Sequence, residues 1–198
     1  MKKIEVYYEA TPNPHSMKFN VAIEISKETE FFDDPTKAAR SPLAQKLFGF
    51  PWAKAVFIGQ NYVTITKQEW VDWSVLADPL SDLISEHLDR GEGVLLDAAL
   101  FEQNSDDEDA LSPHAQSDIQ SDDPPIVKKI KEILNRDIRP AVAMDGGDII
   151  FNRYEGHRLY LHMQGACAGC PSSQITLKDG IETRLKEAIP ELIEVIAV

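Results

Sequence analysis

Cysteine is scarce in this chain: two among 198 residues, Cys167 and Cys170. Two thiols three positions apart cannot staple a small secreted domain, so a disulfide framework is excluded and a reducing compartment is expected. Long apolar runs are missing as well. Nowhere do eighteen apolar residues follow one another, and the N-terminal stretch passes straight into the strand-like Ile4-Glu5-Val6-Tyr7-Tyr8, where a signal peptide would have its apolar core. The expectations that follow are no membrane association and a cytoplasmic location. Positive charge in blocks is also lacking. Residues 1–101 carry 10 Lys and Arg against 15 Asp and Glu, residues 102–125 carry 0 against 8, and residues 126–198 carry 10 against 10. With no basic stripe, nucleic acid and anionic lipid are poor partners.

What remains is an uneven chain. Its acidic excess of -13 is concentrated in one segment, 102–125, which has no basic residue, few apolar ones and three prolines. Such a stretch buries too little surface to offset the entropy of ordering it. It reads as a self-repelling, disordered linker, or alternatively as an acidic docking tail. The division predicts two small α/β-sandwich domains of the α+β class, 1–101 and 126–198.

In the second domain, Ile126, Val127, Ile130, Ile133, Leu134 and Ile138 recur at helical spacing, with a stop near Pro140. Asp145-Gly146-Gly147-Asp148 reads as turn chemistry. Strands over 149–154 and 158–163 are joined at Glu155-Gly156. A second helix follows through Ile175, Leu177, Ile181, Leu185 and Ile189, and a last strand over 192–198. The order is helix, strand, strand, helix, strand. In the first domain, strands near 4–8 and 17–23 flank Thr11-Pro12-Asn13-Pro14. A short helix over 42–48, a hairpin over 55–66 and a helix over 70–88 repeat the helix, hairpin, helix order without the thiols. The Thr11–Pro14 stretch suits a client-recognition loop or a plain turn, and Trp52, Trp70 and Trp73 suit packing.

The thiols stand where a strand gives way to a helix. There the free amides and positive dipole end of the helix favour thiolate, predicting a lowered pKa and an exposed loop. Gly165 and Gly169 let the backbone close around the sulfurs, and Pro171 sets the exit. Three chemistries compete. An iron–sulfur cluster wants four thiolates, structural zinc wants four Cys or His, and a thioredoxin-like dithiol wants only the pair. One chain supplies two thiolates, so a cluster needs two copies. The dithiol lacks the alternating strand-helix-strand unit that normally precedes it. His157 and His162 read as solvated or packed. Arg139 and Lys178 are candidates to balance cluster charge.

The surrounding blocks carry more. Ile138-Arg-Pro140, Asp145-Gly-Gly-Asp148, Gly165-Ala-Cys-Ala-Gly-Cys-Pro-Ser-Ser173, Thr176-Leu-Lys178, Gly180-Ile-Glu182 and Ile189-Pro-Glu191 closely resemble the C-terminal domain of the NifU and Nfu family. Thr11-Pro-Asn-Pro14, Lys18-Phe19, Ser41-Pro-Leu-Ala44, Leu47-Phe48 and Val56-Phe57-Ile58-Gly59 resemble the Nfu N-terminal domain, with a departure at Phe50-Pro51-Trp52. The resemblance implies a non-enzymatic carrier. It would take a 4Fe-4S cluster from an upstream assembly scaffold, hold it on Cys167 and Cys170 between the two protomers of a homodimer, and pass it to apo-proteins. A 2Fe-2S cluster on the same sulfurs, and a thiol-disulfide oxidoreductase, are the alternatives.

Overall fold

The computed structural model describes residues 3–96, 118–168 and 171–198, with backbone alone over 171–177. The chain divides into two compact units, Met1–Glu108 and Asp109–Val198.

The first unit is built on five antiparallel strands: β1 (Val6–Ala10), β2 (Ser16–Val21), β3 (Glu30–Phe32), β4 (Ala53–Ile58) and β5 (Tyr62–Lys67), in the order β1-β2-β5-β4-β3. Period-two alternation sends Met17, Phe19 and Val21 of β2, Val56 and Ile58 of β4, and Val63 and Ile65 of β5 into one core. Helices α1 (Pro42–Phe48) and α2 (Trp73–Asp89) supply Leu43, Leu47, Leu80 and Ile84 to it. Each helix start is fixed by a side chain. Ser41 Oγ accepts from Ala44 N ahead of Pro42, and Asp72 Oδ1 accepts from Ser74 N. Strand β3 and the 3-10 turn Pro35–Arg40 go beyond the sequence expectation. Trp52 is buried and Trp73 donates to Pro14 O, whereas Trp70 is 68% exposed and does not pack as expected. Thr11 Oγ1 donates to Asn13 O and Ser16 O, so the Thr11–Pro14 stretch is an internally bonded turn.

The second unit runs α3 (Pro125–Ile133), a π turn (Leu134–Ile138), α4 (Arg139–Met144), β6 (Gly147–Glu155), β7 (Arg158–Gly165), α5 (Pro171–Ala188) and β8 (Glu194–Ala197). Pro140 does not end the helix there, as the sequence suggested. A widened turn, with Arg139 N donating to Leu134 O, lets the chain absorb the ring and continue to Met144. Strand β6 pairs antiparallel with β7 in a hairpin, and β7 pairs parallel with β8 across the α5 crossover. Ile130, Leu134, Ile149, Leu159, Leu161, Leu185 and Val195 fill the core beneath.

Of the acidic segment, 102–117 lie outside the described residues, and so does its reading as disordered there. Residues 118–124 are held against α3. The Lys131 ammonium donates to Asp118 O and to Asp123 Oδ2, and Gln120 N donates to the same carboxylate. The linker reading does not extend to them.

Candidate functional site

The site lies at the open end of the β6–β7 hairpin. Gly147 pairs with Gly165 as the last rung of the ladder, and the hairpin turn closes at Glu155 and Arg158 at the other end. Past Gly165, whose φ is 63°, the backbone tightens. Ala166 N donates to Gly146 O at 3.1 Å, Cys167 N to Gln164 O at 3.3 Å, and Ala168 N to Gly165 O at 3.1 Å. Helix α5 then begins at Pro171, so the thiol segment does stand at a strand-to-helix junction. Cys170 lies outside the described residues.

Cys167 does not match its expected chemistry. The side chain points inward, is only 6% exposed, and belongs to the core cluster with Val142, Ile149, Met163 and Ile181. Burial, followed by the nearby Asp145 and Asp148 carboxylates, pushes its thiol up to about 12. The expected lowering by the helix dipole fails because that influence fades within the first turn, and Cys167 precedes Pro171 by four residues while facing the core. In this state the residue is a sheltered neutral thiol.

Around it stands a polar clamp that sequence reasoning took for a turn. Asp148 is buried and accepts both Arg139 Nε at 2.8 Å and Arg139 Nη2 at 2.7 Å, with Ile149 N at 2.8 Å on Oδ1. Arg139 Nη1 donates to Asn135 Oδ1. The guanidinium expected to balance a cluster is therefore committed to a carboxylate, tying α4 to the start of β6.

Neither candidate histidine joins the site. His157 sits in the hairpin turn at a φ of 60°, eight strand residues from Gly147 and so about 25 Å away. His162 alternates with the core residues Leu161 and Met163, and its ring bonds to Asn152 Nδ2 and Val198 O. Among the described residues no three His, Cys, Asp or Glu side chains converge to hold a metal. Sequence reasoning missed Gly147 as part of the site. Two adjacent glycines where a turn requires one were the available signal.

Two family descriptions match the chain. "Scaffold protein Nfu/NifU N terminal" covers residues 6–91 and "NifU-like domain" covers residues 130–196. A Drosophila erecta protein named "NFU1 iron-sulfur cluster scaffold homolog, mitochondrial" is 40% identical over 184 residues, 92% of this chain and 60% of that protein. The Drosophila persimilis protein of the same name is 39% identical over 92% of this chain and 61% of its own length. The chain thus spans about 60% of the length of the curated relatives it matches. A solution structure of a NifU-like protein from Saccharomyces cerevisiae aligns with 48% of this chain and 87% of its own, at 24% identity and a TM-score of 0.43. The relatives' mitochondrial names overturn the cytoplasmic expectation. Composition and missing apolar runs describe folded domains, and an organelle address is carried separately from them. With both domain descriptions met in order, over the two units that the fold separates, the chain belongs to the NifU/Nfu family.

Proposed function

We propose that this chain is a non-enzymatic iron–sulfur cluster carrier. A 4Fe-4S cluster, or a 2Fe-2S cluster on the same sulfurs, is bound by Cys167 and Cys170 of one chain together with the same pair of a second. An upstream scaffold supplies it and apo-proteins receive it. Support comes from the relatives' name as cluster scaffolds, together with a ligand count that leaves one chain half-equipped. Transfer then needs no acid, base or nucleophile of its own. Incoming client thiolates replace the carrier's sulfurs stepwise, and separation of the two copies releases the cargo.

The relatives' name as cluster scaffolds favours this over the dithiol alternative, and the resting state of Cys167 does not suit an exchange catalyst. An exchange catalyst attacks as a thiolate and needs an accessible sulfur of low pKa. Here the thiol is buried beside two carboxylates and pushed up to about 12. Metal binding does not require a pre-formed thiolate, because coordination itself displaces the proton. Anaerobic reconstitution with iron and sulfide tests the reading through absorption, Mössbauer spectra and a sizing column. About four irons per two chains are expected, with none retained by Cys167→Ser. Insulin reduction lost in Cys167→Ser, with no iron uptake by the parent, would establish the dithiol enzyme instead.

A further inference from the structure

The glycines of Asp145-Gly146-Gly147-Asp148 are there for different reasons. Gly146 has a φ of 80°, a backbone conformation that L side chains rarely adopt. Gly147 is not among the positive-φ residues. It opens β6 and pairs in register with Gly165, in extended backbone that any residue can take. Its need for glycine comes from a neighbour. A Cβ placed on Gly147 would lie 2.4 Å from Cys167 Sγ, 2.9 Å from Gln164 O and 3.2 Å from Cys167 N. The first two distances are closer than nonbonded atoms approach. The Cys167 sulfur thus fills the space that a side chain at position 147 would occupy.

That placement conflicts with sharing a cluster. A sulfur on a side chain buried in the core of the second unit cannot also bond iron at an interface with a second copy. We propose that Gly147 is the positioning residue of the cysteine loop: its bare Cα forms an inward seat for the Cys167 sulfur when no cluster is bound, and loading swings Cys167 out. The swing rests on Cys167 being a cluster ligand, while the seat stands without that reading. Backbone bonds from Ala166 N to Gly146 O, Cys167 N to Gln164 O and Ala168 N to Gly165 O hold the inward loop, beside Gly165 at a φ of 63°. Opening them is a local event, separate from unfolding the unit. The seat also shelters the apo thiol from oxidation, which follows exposure and thiolate character.

The test uses the full chain carrying Cys170→Ser, so that one thiol reports. Iodoacetamide labelling at pH 8 is followed by intact mass, in buffer and in denaturing urea. A rate in buffer at least about 100-fold below that in urea is expected, because labelling must await opening. A rate within about 3-fold of the urea value would overturn the seat. Adding Gly147→Ala expels the sulfur and raises the native rate about 10-fold or more, with circular dichroism confirming the fold. An unchanged slow rate in a folded Gly147→Ala chain would also overturn it. Should that variant not fold, the comparison of buffer with urea decides alone. Reconstitution of the chain with Cys170 intact is a separate arm: slow labelling with no iron uptake would sink the carrier reading and leave the seat standing.

Discussion

Single charged residues in this protein differ more by their surroundings than by their type. Asp137 is a partly exposed carboxylate between the exposed Arg136 and Arg184, whose guanidinium groups hold it down at about 2. Its folded value is depressed, so any contribution is present above the ordinary carboxylate range and lost only as pH falls through about 2. Water screens such a pair, and Asp137→Asn is expected to leave the urea midpoint unmoved at neutral pH. Asp148 is the opposite case. It is buried and holds Arg139 at two points, while the guanidinium itself is partly wet, its side chain 26% exposed. Removing one partner of a buried pair strands the other. Arg139→Met is therefore expected to cost about 2 kcal/mol of unfolding free energy, below the roughly 3–5 kcal/mol of a fully buried pair because the arginine keeps some water. Equilibrium urea unfolding measures both variants, and equal losses would show that burial at Asp148 is not what distinguishes them.

Among the elements, α1 and α2 are fastened by a buried histidine. His87, on α2, donates from Nε2 to Gly93 O, and its Nδ1 accepts from Lys46 of α1, which also pairs with Glu92. Nδ1 also lies 3.2 Å from Glu92 Oε2, and the bond from Lys46 is made only by a neutral ring. Burial lowers its pKa below the ordinary 6.5, with Lys46 adding to the effect, against the hydrogen bond to Gly93 and the charge of Glu92. Near and below 6.5 the unfolded chain binds a proton that the folded one resists, so stability is complete above that value and falls as pH drops. Unfolding of the full chain followed between pH 7.5 and 5 should show the first unit weakening, and His87→Gln should flatten that slope. An identical slope in the variant would place the acid sensitivity elsewhere. Elements of this kind were only partly legible in sequence. Periodicity located both hairpins and the helices, since apolar spacing of two or of three and four leaves little choice. The continuation past Pro140 was not legible, because a proline normally terminates a helix and only the widened turn at Leu134–Ile138 reconciles it. The three-residue β3 was too short for any alternation. At the site, spacing and neighbouring blocks picked out Cys167, but its inward orientation depends on Gly147 across the hairpin, a contact twenty residues away in sequence.

At the scale of the whole chain, each unit has a core of its own, one gathered around Phe19, Ile58 and Ile65, the other around Ile149, Leu161 and Val195. Independent folding of the second unit is expected from that core, though where the unit begins matters. Composition sets the boundary at Ile126, the first residue of the apolar period. The structure moves it earlier, because Lys131 on α3 is only 3% exposed and its ammonium is satisfied by residues from the acidic segment. It donates to Asp118 O at 2.8 Å and to Asp123 Oδ2 at 2.9 Å, and lies 5.0 Å from the centre of the Phe151 ring. A fragment of residues 126–198 keeps the ring and loses both oxygens. The ammonium must then find water or leave its pocket, and stranding a buried charged donor costs about 1–3 kcal/mol. A fragment of residues 118–198 is therefore expected to unfold cooperatively in urea and to exceed the 126–198 fragment by that amount. The lysine is the test of the cause: Lys131→Met should bring the two fragments to nearly equal stability, since an apolar stem packs on Phe151 without needing either oxygen. If the difference between the fragments survives that substitution, the acidic segment stabilises the unit through some contact other than Lys131.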